Sequence, residues 1–265
     1  MSGHPPSRDT AAVNAPVAAG GDLAADGHFT TMQVRDGAIQ GLDLHLARLR
    51  EATMAMFGAC LDESALRARL RLALEGDAGH VEARTLRVVV RAASSGSRGE
   101  GLDVGIDIEA PREPGASALR LRSHQGLRER AALKHLAIEP QFEARRAAQA
   151  AGFDDALLVD AGGSVAEGTF WNVAFWDGEA VVWPEAPSLD GVTQRLLQEA
   201  LARAGVPQRR DAVRLDALDA FRAAFALNSR GIQAVASVDD HAFGGDGGLG
   251  ALLRELLAAC PWQRP

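Results

Sequence analysis

The spacing of apolar and polar positions changes along the chain, and each change marks an element. HFTTMQVRDG, residues 28–37, alternates and runs into Asp36-Gly37, which predicts a strand and a turn with a return strand over residues 38–40. Next, Leu42, Leu46, Leu49, Thr53 and Met56 fall at helical spacing, with Asp43 as candidate N-cap and Gly58 as the stop. A second helix is expected over residues 62–76, a strand over 85–92, and a Ser/Gly loop over 94–101. Residues 102–108 alternate strictly, so Leu102, Val104, Ile106 and Ile108 share one strand face. A turn at residues 111–115 and a short strand over 119–122 follow.

The polar run over residues 123–132 has no clear period and reads as a linker. Beyond it the pattern predicts a helix over 138–152, with Pro140 in its first turn and Phe142, Ala147 and Ala150 as core positions. A buried strand over 155–160, a turn, extended chain over 165–174 and a hairpin through Asp177-Gly178 come next. Helices are expected at 191–205, 215–221 and 249–260, strands at 223–228 and 232–238, and a Gly-rich loop at 243–250. No internal repeat is visible. Helices beside a mostly antiparallel sheet give the first half an α+β character. The expected organisation is a loose, Pro/Gly-rich arm over residues 1–21, a small α+β domain over 22–122, a linker over 123–133 and a larger domain over 134–265.

Composition narrows the function classes. The 265 residues are 47% hydrophobic, enough for a sizeable core. A net charge of −7 argues against nucleic acid and against an anionic membrane surface, while leaving room for a local anion pocket. Cys60 and Cys260 sit in apolar, helix-like runs and read as reduced thiols, with no disulfide framework and no metal site. No apolar run has the length of a membrane span and no secretory core stands out, so a cytoplasmic enzyme is expected. Tyrosine is absent.

Lys134, in AALKHLAIE, is the single lysine among 28 lysines and arginines. Arginine can replace lysine wherever a generic positive charge suffices, but its guanidinium stays protonated and cannot act as an amine nucleophile; a desolvated lysine can. Lys134 is therefore either a Schiff-base lysine or one unreplaced surface lysine. Glu167, between Ala166 and Gly168 on a buried-looking strand, is either an edge-strand glutamate in water or, if buried, an anion that needs a partner such as a cationic heterocycle. Gly191-Val192-Thr193 opens a helix, where Thr193 is either an ordinary N-cap threonine or part of an anion site made by unpaired amides and the helix dipole. Arg48 is a guanidinium fork for an oxyanion or a solvated helix arginine. Asn228-Ser229 ends a strand as a donor pair or as a plain turn, and Arg91 on TLRVVVRA is either a strand-end surface arginine or a candidate for a substrate carboxylate.

The order of these signals resembles the class IV aminotransferases, the fold type IV enzymes of pyridoxal 5′-phosphate (PLP), which include branched-chain and D-amino-acid aminotransferases and aminodeoxychorismate lyases. The segments that carry the likeness are HFTTMQVRDG, HLARL, LKHL, DDALLVDAGGSVAEGTFWNVAF, GVTQRLL and ALNSRGIQAV. The resemblance implies a two-domain α+β fold of the D-amino-acid-aminotransferase type with the cofactor in the interdomain cleft, and a homodimer. It implies Lys134 as the Schiff-base and proton-shuttling lysine, Glu167 against the pyridine nitrogen, and Arg48 on the phosphate. Val192 and Thr193 would form the phosphate cradle, Ser229 with Asn228 the second phosphate loop, and Asn172 would lie near the site.

The expected activity is amino transfer between an amino acid or amine and a 2-oxo acid. Two alternatives stay open: elimination to 4-aminobenzoate and pyruvate, as in aminodeoxychorismate lyase, and a family member that has lost its chemistry. LKHL and Asn228-Ser229 look more like the lyase branch, and Glu139 stands where branched-chain enzymes of the family carry a tyrosine.

Overall fold

Asp36 and Gly37, with φ of 49° and 70°, close a tight hairpin between β1 (Gly27–Arg35) and β2 (Ala38–Gln40). Positive φ at both turn positions matches the twist of the flanking strands, which is why Asp-Gly occurs there. The computed structural model describes residues 27–75, 83–93 and 101–265; the expected arm and most of the Ser/Gly loop lie outside these.

β3 (Ala83–Ala92) and β4 (Leu102–Glu109) complete the strand plan of the first half. A strand from the far end of the chain, Trp262–Gln263, adds to β2, and the resulting five-stranded sheet is antiparallel throughout. α1 (Leu42–Phe57) and α2 (Glu63–Glu75) cover one face, burying Leu42, Leu46, Leu49, Leu66 and Leu70 against Met32, Leu86, Val88 and Val90. Strand alternation turns the other set, Phe29, Thr31, Thr85 and Arg87, toward a cavity. Asp43 does not cap α1. Gly41 in the left-handed region is the N-cap, because the hairpin enters the helix too sharply for an L side chain, and Asp43 instead pairs with Arg67 at 2.6 Å.

The second sheet begins earlier than its expected linker. β5 (Leu119–Gln125) runs through the first residues of that polar stretch and pairs in parallel with a later strand on each side. α3 (Glu139–Ala150) leads to β6 (Asp155–Val159), β7 (Val165–Gly168), β8 (Asn172–Trp176) and β9 (Val181–Pro184). The extended chain expected over 165–174 is thus two strands with a bend at Thr169–Trp171. α4 (Val192–Arg203), β10 (Gln208–Asp211), a 3₁₀ turn over Leu215–Ala220, β11 (Ala223–Asn228), β12 (Gly231–Val238), β13 (His241–Ala242), α5 (Leu249–Ala258) and β14 (Trp262–Gln263, the strand on β2) follow. The sheet order is β10-β9-β8-β11-β12-β5-β6-β7, with β13 on β12.

One face of this sheet buries Leu157, Val173, Phe175 and Val182, and α4 and α5 close the other over Trp183, Leu197, Leu201, Phe225 and Leu253. α3 packs through Ala144 and Ala148 on Ala156 and Leu158. Of the three core positions expected in that helix, Ala147 and Ala150 are exposed, because the buried stripe is rotated toward Gln141, Ala144 and Ala148; Phe142 is half-buried. The two sheets are joined where Phe29 N donates to Lys134 O at 2.9 Å and Leu136 N to Gly27 O at 2.8 Å. A β-carbon on Gly27 would stand 2.5 Å from Leu136 Cδ1 and 3.0 Å from Val90 O, so a larger residue there would press on both segments.

Candidate active site between the two sheets

Lys134 hangs from the segment that pairs with β1, and its amine enters the cavity between the sheets. Nζ lies 4.9 Å from the centroid of the Phe29 ring, and the Arg87 guanidinium carbon lies 4.2 Å from the same centroid. Burial pulls the lysine pKa down to about 7, and the positive charges of Arg48 and Arg128 push the same way against the weaker pull of Glu167. A large share of the amine is therefore unprotonated near neutrality, which an exposed lysine does not achieve.

Glu167 reaches the cavity from β7 and is 3% exposed. Its Oε1 accepts from Arg128 Nη1 at 3.3 Å, and its Oε2 from the Leu189 amide at 3.3 Å. Burial raises its pKa, and Arg128 opposes that rise. Sequence reasoning placed Arg128 in an undifferentiated linker. The structure instead fixes it through Nη2 to Leu133 O at 2.7 Å and, with the Gln141 amide oriented as its neighbours require, through Nε to the Gln141 oxygen at 3.0 Å.

Asn172 acts one step behind. Its amide donates to Leu189 O at 2.7 Å, and Leu189 is the residue whose N–H holds Glu167. Its oxygen presses on Gly191, where a β-carbon would come within 1.9 Å. Gly191 is the N-cap of α4 and offers no side-chain cap, so the amides of Val192 and Thr193 precede the first intrahelical bond, Arg195 N to Gly191 O. Thr193 does not direct its hydroxyl proton into the cavity: it donates to Asn228 O at 2.8 Å, tying the helix start to the end of β11. Asn228 and Ser229 line the same wall, and Asn228 Oδ1 accepts from Arg230 N at 2.9 Å.

Arg48 projects from α1 into the same end of the cavity. Nη2 bonds Thr30 Oγ1 and lies 3.3 Å from His45 Nδ1, while the buried Nε has no partner. Burial lowers its pKa to about 10, partly offset by Asp190. A buried guanidinium with an unused donor beside an uncapped helix start is a site for an oxyanion.

Eight of the nine expected site residues thus line one cavity: Lys134, Glu167, Arg48, Asn172, Val192, Thr193, Asn228 and Ser229. Arg91 does not. It lies further along β3, opposite Gly27, and Arg87 on the same strand face occupies the cavity wall instead. The signal for Arg87 was available, since alternation puts both arginines on one face. Glu139 points to solvent and pairs with Arg146 at 2.6 Å, outside the cavity. On the opposite wall, Asp155 accepts from Arg145, Thr169 and Trp171 and holds the bend after β7 in place.

Comparison with known proteins follows the same lines. Residues 27–238 match the family model described as amino-transferase class IV. A fold IV transaminase from Curtobacterium pusillum is 25% identical, with a TM-score of 0.78 over 94% of this chain and 90% of that one. A 4-amino-4-deoxychorismate lyase from Pseudomonas aeruginosa is 26% identical, with a TM-score of 0.72 over 91% and 95%. The PLP-bound form of a hypothetical aminotransferase from Mycobacterium tuberculosis superposes with a TM-score of 0.81 at 21% identity, over 94% and 95%. The search of curated proteins finds no match.

Proposed function

From the premise that the chain belongs to the class IV aminotransferases, we propose that it moves an amino group between an amino acid or amine and a 2-oxo acid, with Lys134 as the reacting amine. The observation that carries this reading is the placement of Lys134 Nζ and Glu167 on one cavity, with the lysine pKa held at about 7.

The cavity fits pyridoxal 5′-phosphate. The unpartnered Nε of Arg48 and the free amides of Val192 and Thr193 suit its phosphate, with Ser229 beside them. Glu167 would face the ring nitrogen. The cavity opens to solvent, and its empty space counted with that mouth is about 1310 Å³. When bound, the cofactor supplies an aldehyde and a ring that stores the electron pair released at the substrate's α-carbon. Lys134 Nζ, unprotonated in part at neutrality, would be the amine that holds that aldehyde and the base that takes the proton from the substrate's α-carbon. Glu167, whose burial raises its proton affinity, is suited to share a proton with a pyridine nitrogen, and Arg128 and the Leu189 amide keep its carboxylate oriented. Asn172 positions Leu189 and, through it, Glu167.

The lyase reading keeps every one of these residues and differs in which bond breaks. LKHL and the Asn228-Ser229 strand end favour it. Retention of the amine, the carboxylate and the phosphate arginine on one cavity weighs against a non-catalytic member. The experiment is an amino-donor panel scored by conversion of bound cofactor to its aminated form. Pyruvate released from aminodeoxychorismate with no oxo-acid acceptor present establishes the lyase, and amino transfer that stops when the acceptor is omitted establishes the transaminase.

We further take the enzyme to be a cytoplasmic homodimer of two domains. Both cysteines are free thiols, as a reducing compartment would keep them, and among the described residues no helix is long and apolar enough to cross a membrane. Sedimentation of the purified protein tests the dimer.

A further inference from the structure

α1 carries a histidine one turn before its cavity-facing arginine. The i, i+3 spacing sets His45 and Arg48 on one side of the helix, and β1 brings Thr30 to both. Strand alternation turns Thr30 away from the cavity-lining Phe29 and Thr31, so it is fully buried in the layer between the sheet and α1.

Donors and acceptors in this cluster favour one arrangement of protons. A guanidinium has donors and no acceptor. Arg48 Nη2 therefore donates to Thr30 Oγ1, and the same nitrogen lies 3.3 Å from His45 Nδ1. With its oxygen accepting, Thr30 directs its own hydroxyl proton to His45 Nδ1 at 2.7 Å. A proton on Nδ1 would set two donors against each other, so the ring proton belongs on Nε2. The imidazole is neutral, as burial and the positive charges of Arg48 and Lys134 favour.

Neutrality has a consequence here. A carboxylate is the usual partner of a guanidinium fork, and elsewhere in the cavity Glu167 holds Arg128 and Asp155 holds Arg145. A carboxylate against Arg48 would cancel its charge and compete with an incoming oxyanion. A neutral acceptor orients the fork and leaves the charge unspent. Among the described residues Arg48 makes no ion pair; Asp190, which offsets part of its lowered pKa, is paired with Arg195 at 3.7 Å. The buried Nε of Arg48 has no partner.

Resting on the reading of Arg48 as the oxyanion arginine, we propose that His45, acting through Thr30, is a positioning residue: a neutral acceptor that holds the Arg48 guanidinium in place and keeps its positive charge for a phosphate-bearing ligand.

The test uses the full-length protein freed of cofactor and two probes, inorganic phosphate and PLP, by titration calorimetry. His45→Asn keeps a neutral acceptor and Thr30→Ser keeps the hydroxyl; both should bind the probes within about threefold of wild type. His45→Leu and Thr30→Val break the chain and should weaken both probes at least tenfold. His45→Asp gives Arg48 a stronger partner and should still lose at least tenfold, with a melting temperature no lower than that of His45→Asn. Beside Arg48→Gln, His45→Leu should cost nothing further. Nitrogen-15 spectra of the wild type should show the His45 proton on Nε2.

Three results overturn the assignment: His45→Asp binding as tightly as His45→Asn, a His45→Leu loss that persists in full beside Arg48→Gln, or a protonated Nδ1. If the leucine and valine variants do not fold, the comparison of His45→Asp with His45→Asn decides alone. Wild-type protein that binds neither probe removes the cofactor reading and this assignment together. Normal wild-type binding with any of the three results removes this assignment and leaves the cofactor reading standing.

Discussion

Arg128 and Glu167 form an ion pair at 3.3 Å with side chains only 6% and 5% exposed, one from an irregular loop and the other from β7, the last strand in the order of the second sheet. Removing one member of such a pair leaves a buried charge without its counterpart. Arg128→Met is expected to lower unfolding free energy by about 3–5 kcal/mol, and the double variant Arg128→Met/Glu167→Gln to recover much of it. Urea denaturation of the three proteins measures the coupling; additive losses would mean that the two side chains do not stabilise each other.

Lys134→Arg keeps a positive charge and removes the amine. The variant should fold with a melting temperature near that of the wild type and show neither the absorbance of covalently attached PLP nor turnover above about a thousandth of the wild-type rate. Borohydride reduction followed by peptide mapping should place the adduct of the wild-type protein on Lys134 alone.

The depressed lysine pKa sets the pH at which cofactor attaches. The nucleophile is the unprotonated amine, so the rate of attachment to cofactor-free protein should rise with pH through a midpoint near 7 and level off above it. A lysine with the ordinary value would keep gaining rate up to pH 10. The same shift acts on folding: the unfolded chain holds a proton on this amine between about pH 7 and its ordinary value near 10.4 while the native protein does not, so this group contributes stability that increases as pH rises across that window. Stopped-flow absorbance at a series of pH values decides the first point.

Gly191 and Asn172 are matched by space. Gly191→Ala drives a β-carbon onto Asn172 Oδ1 and should weaken cofactor binding at least tenfold, because either the amide swings off Leu189 or the start of α4 shifts. Asn172→Ala alone should also cost affinity. The double variant is expected to bind better than the sum of the two losses implies, and equilibrium dialysis of the four proteins tests that non-additivity.

Acid should loosen the first sheet. His28 shares a hydrogen bond with Thr53 Oγ1 at 3.0 Å, and burial, reinforced by Arg48, pulls its pKa down to about 4; His45, bonded to Thr30 Oγ1 at 2.7 Å, is also held well below its ordinary value by burial, Arg48 and Lys134. Both native pKa values lie below those of the unfolded chain, so between about pH 6.5 and 4 the unfolded chain binds protons that the native protein refuses, and stability falls as the pH falls. For His28 alone the loss across that window is about 3 kcal/mol. His28→Gln, which keeps a nitrogen near Thr53 and cannot titrate, should flatten the decline in urea midpoints between pH 7 and 5.

Much of this was legible from residue order, and the misses have physical causes. Periodicity located α1, β4 and the helix that begins at Val192, since each follows a single apolar stripe. It misplaced the buried stripe of α3 because alanine is equally at home on either side of a helix, and Ala144 and Ala148 differ from Ala147 and Ala150 only in what they face. Asp43 looked like a cap because aspartate favours that role; the left-handed entry through Gly41 pre-empted it. Arg128 could not be distinguished in SHQGLRER from its neighbouring arginine, as its importance comes from a carboxylate 39 residues away. Arg87 could have been found by extending the alternation that marked Arg91 back by four residues.

The backbone of Lys134 is pinned to the first sheet by Phe29, and that of Leu136 two residues on by Gly27, whereas Glu167 rides on the second. The span between the Lys134 amine and the Glu167 carboxylate is therefore a property of how the two sheets are mated, not of either one. A chimera that exchanged one half for a relative's would inherit every chemical group and still mis-set the gauge between them, unless the β1 edge and the strip around Leu136 were transplanted as one piece.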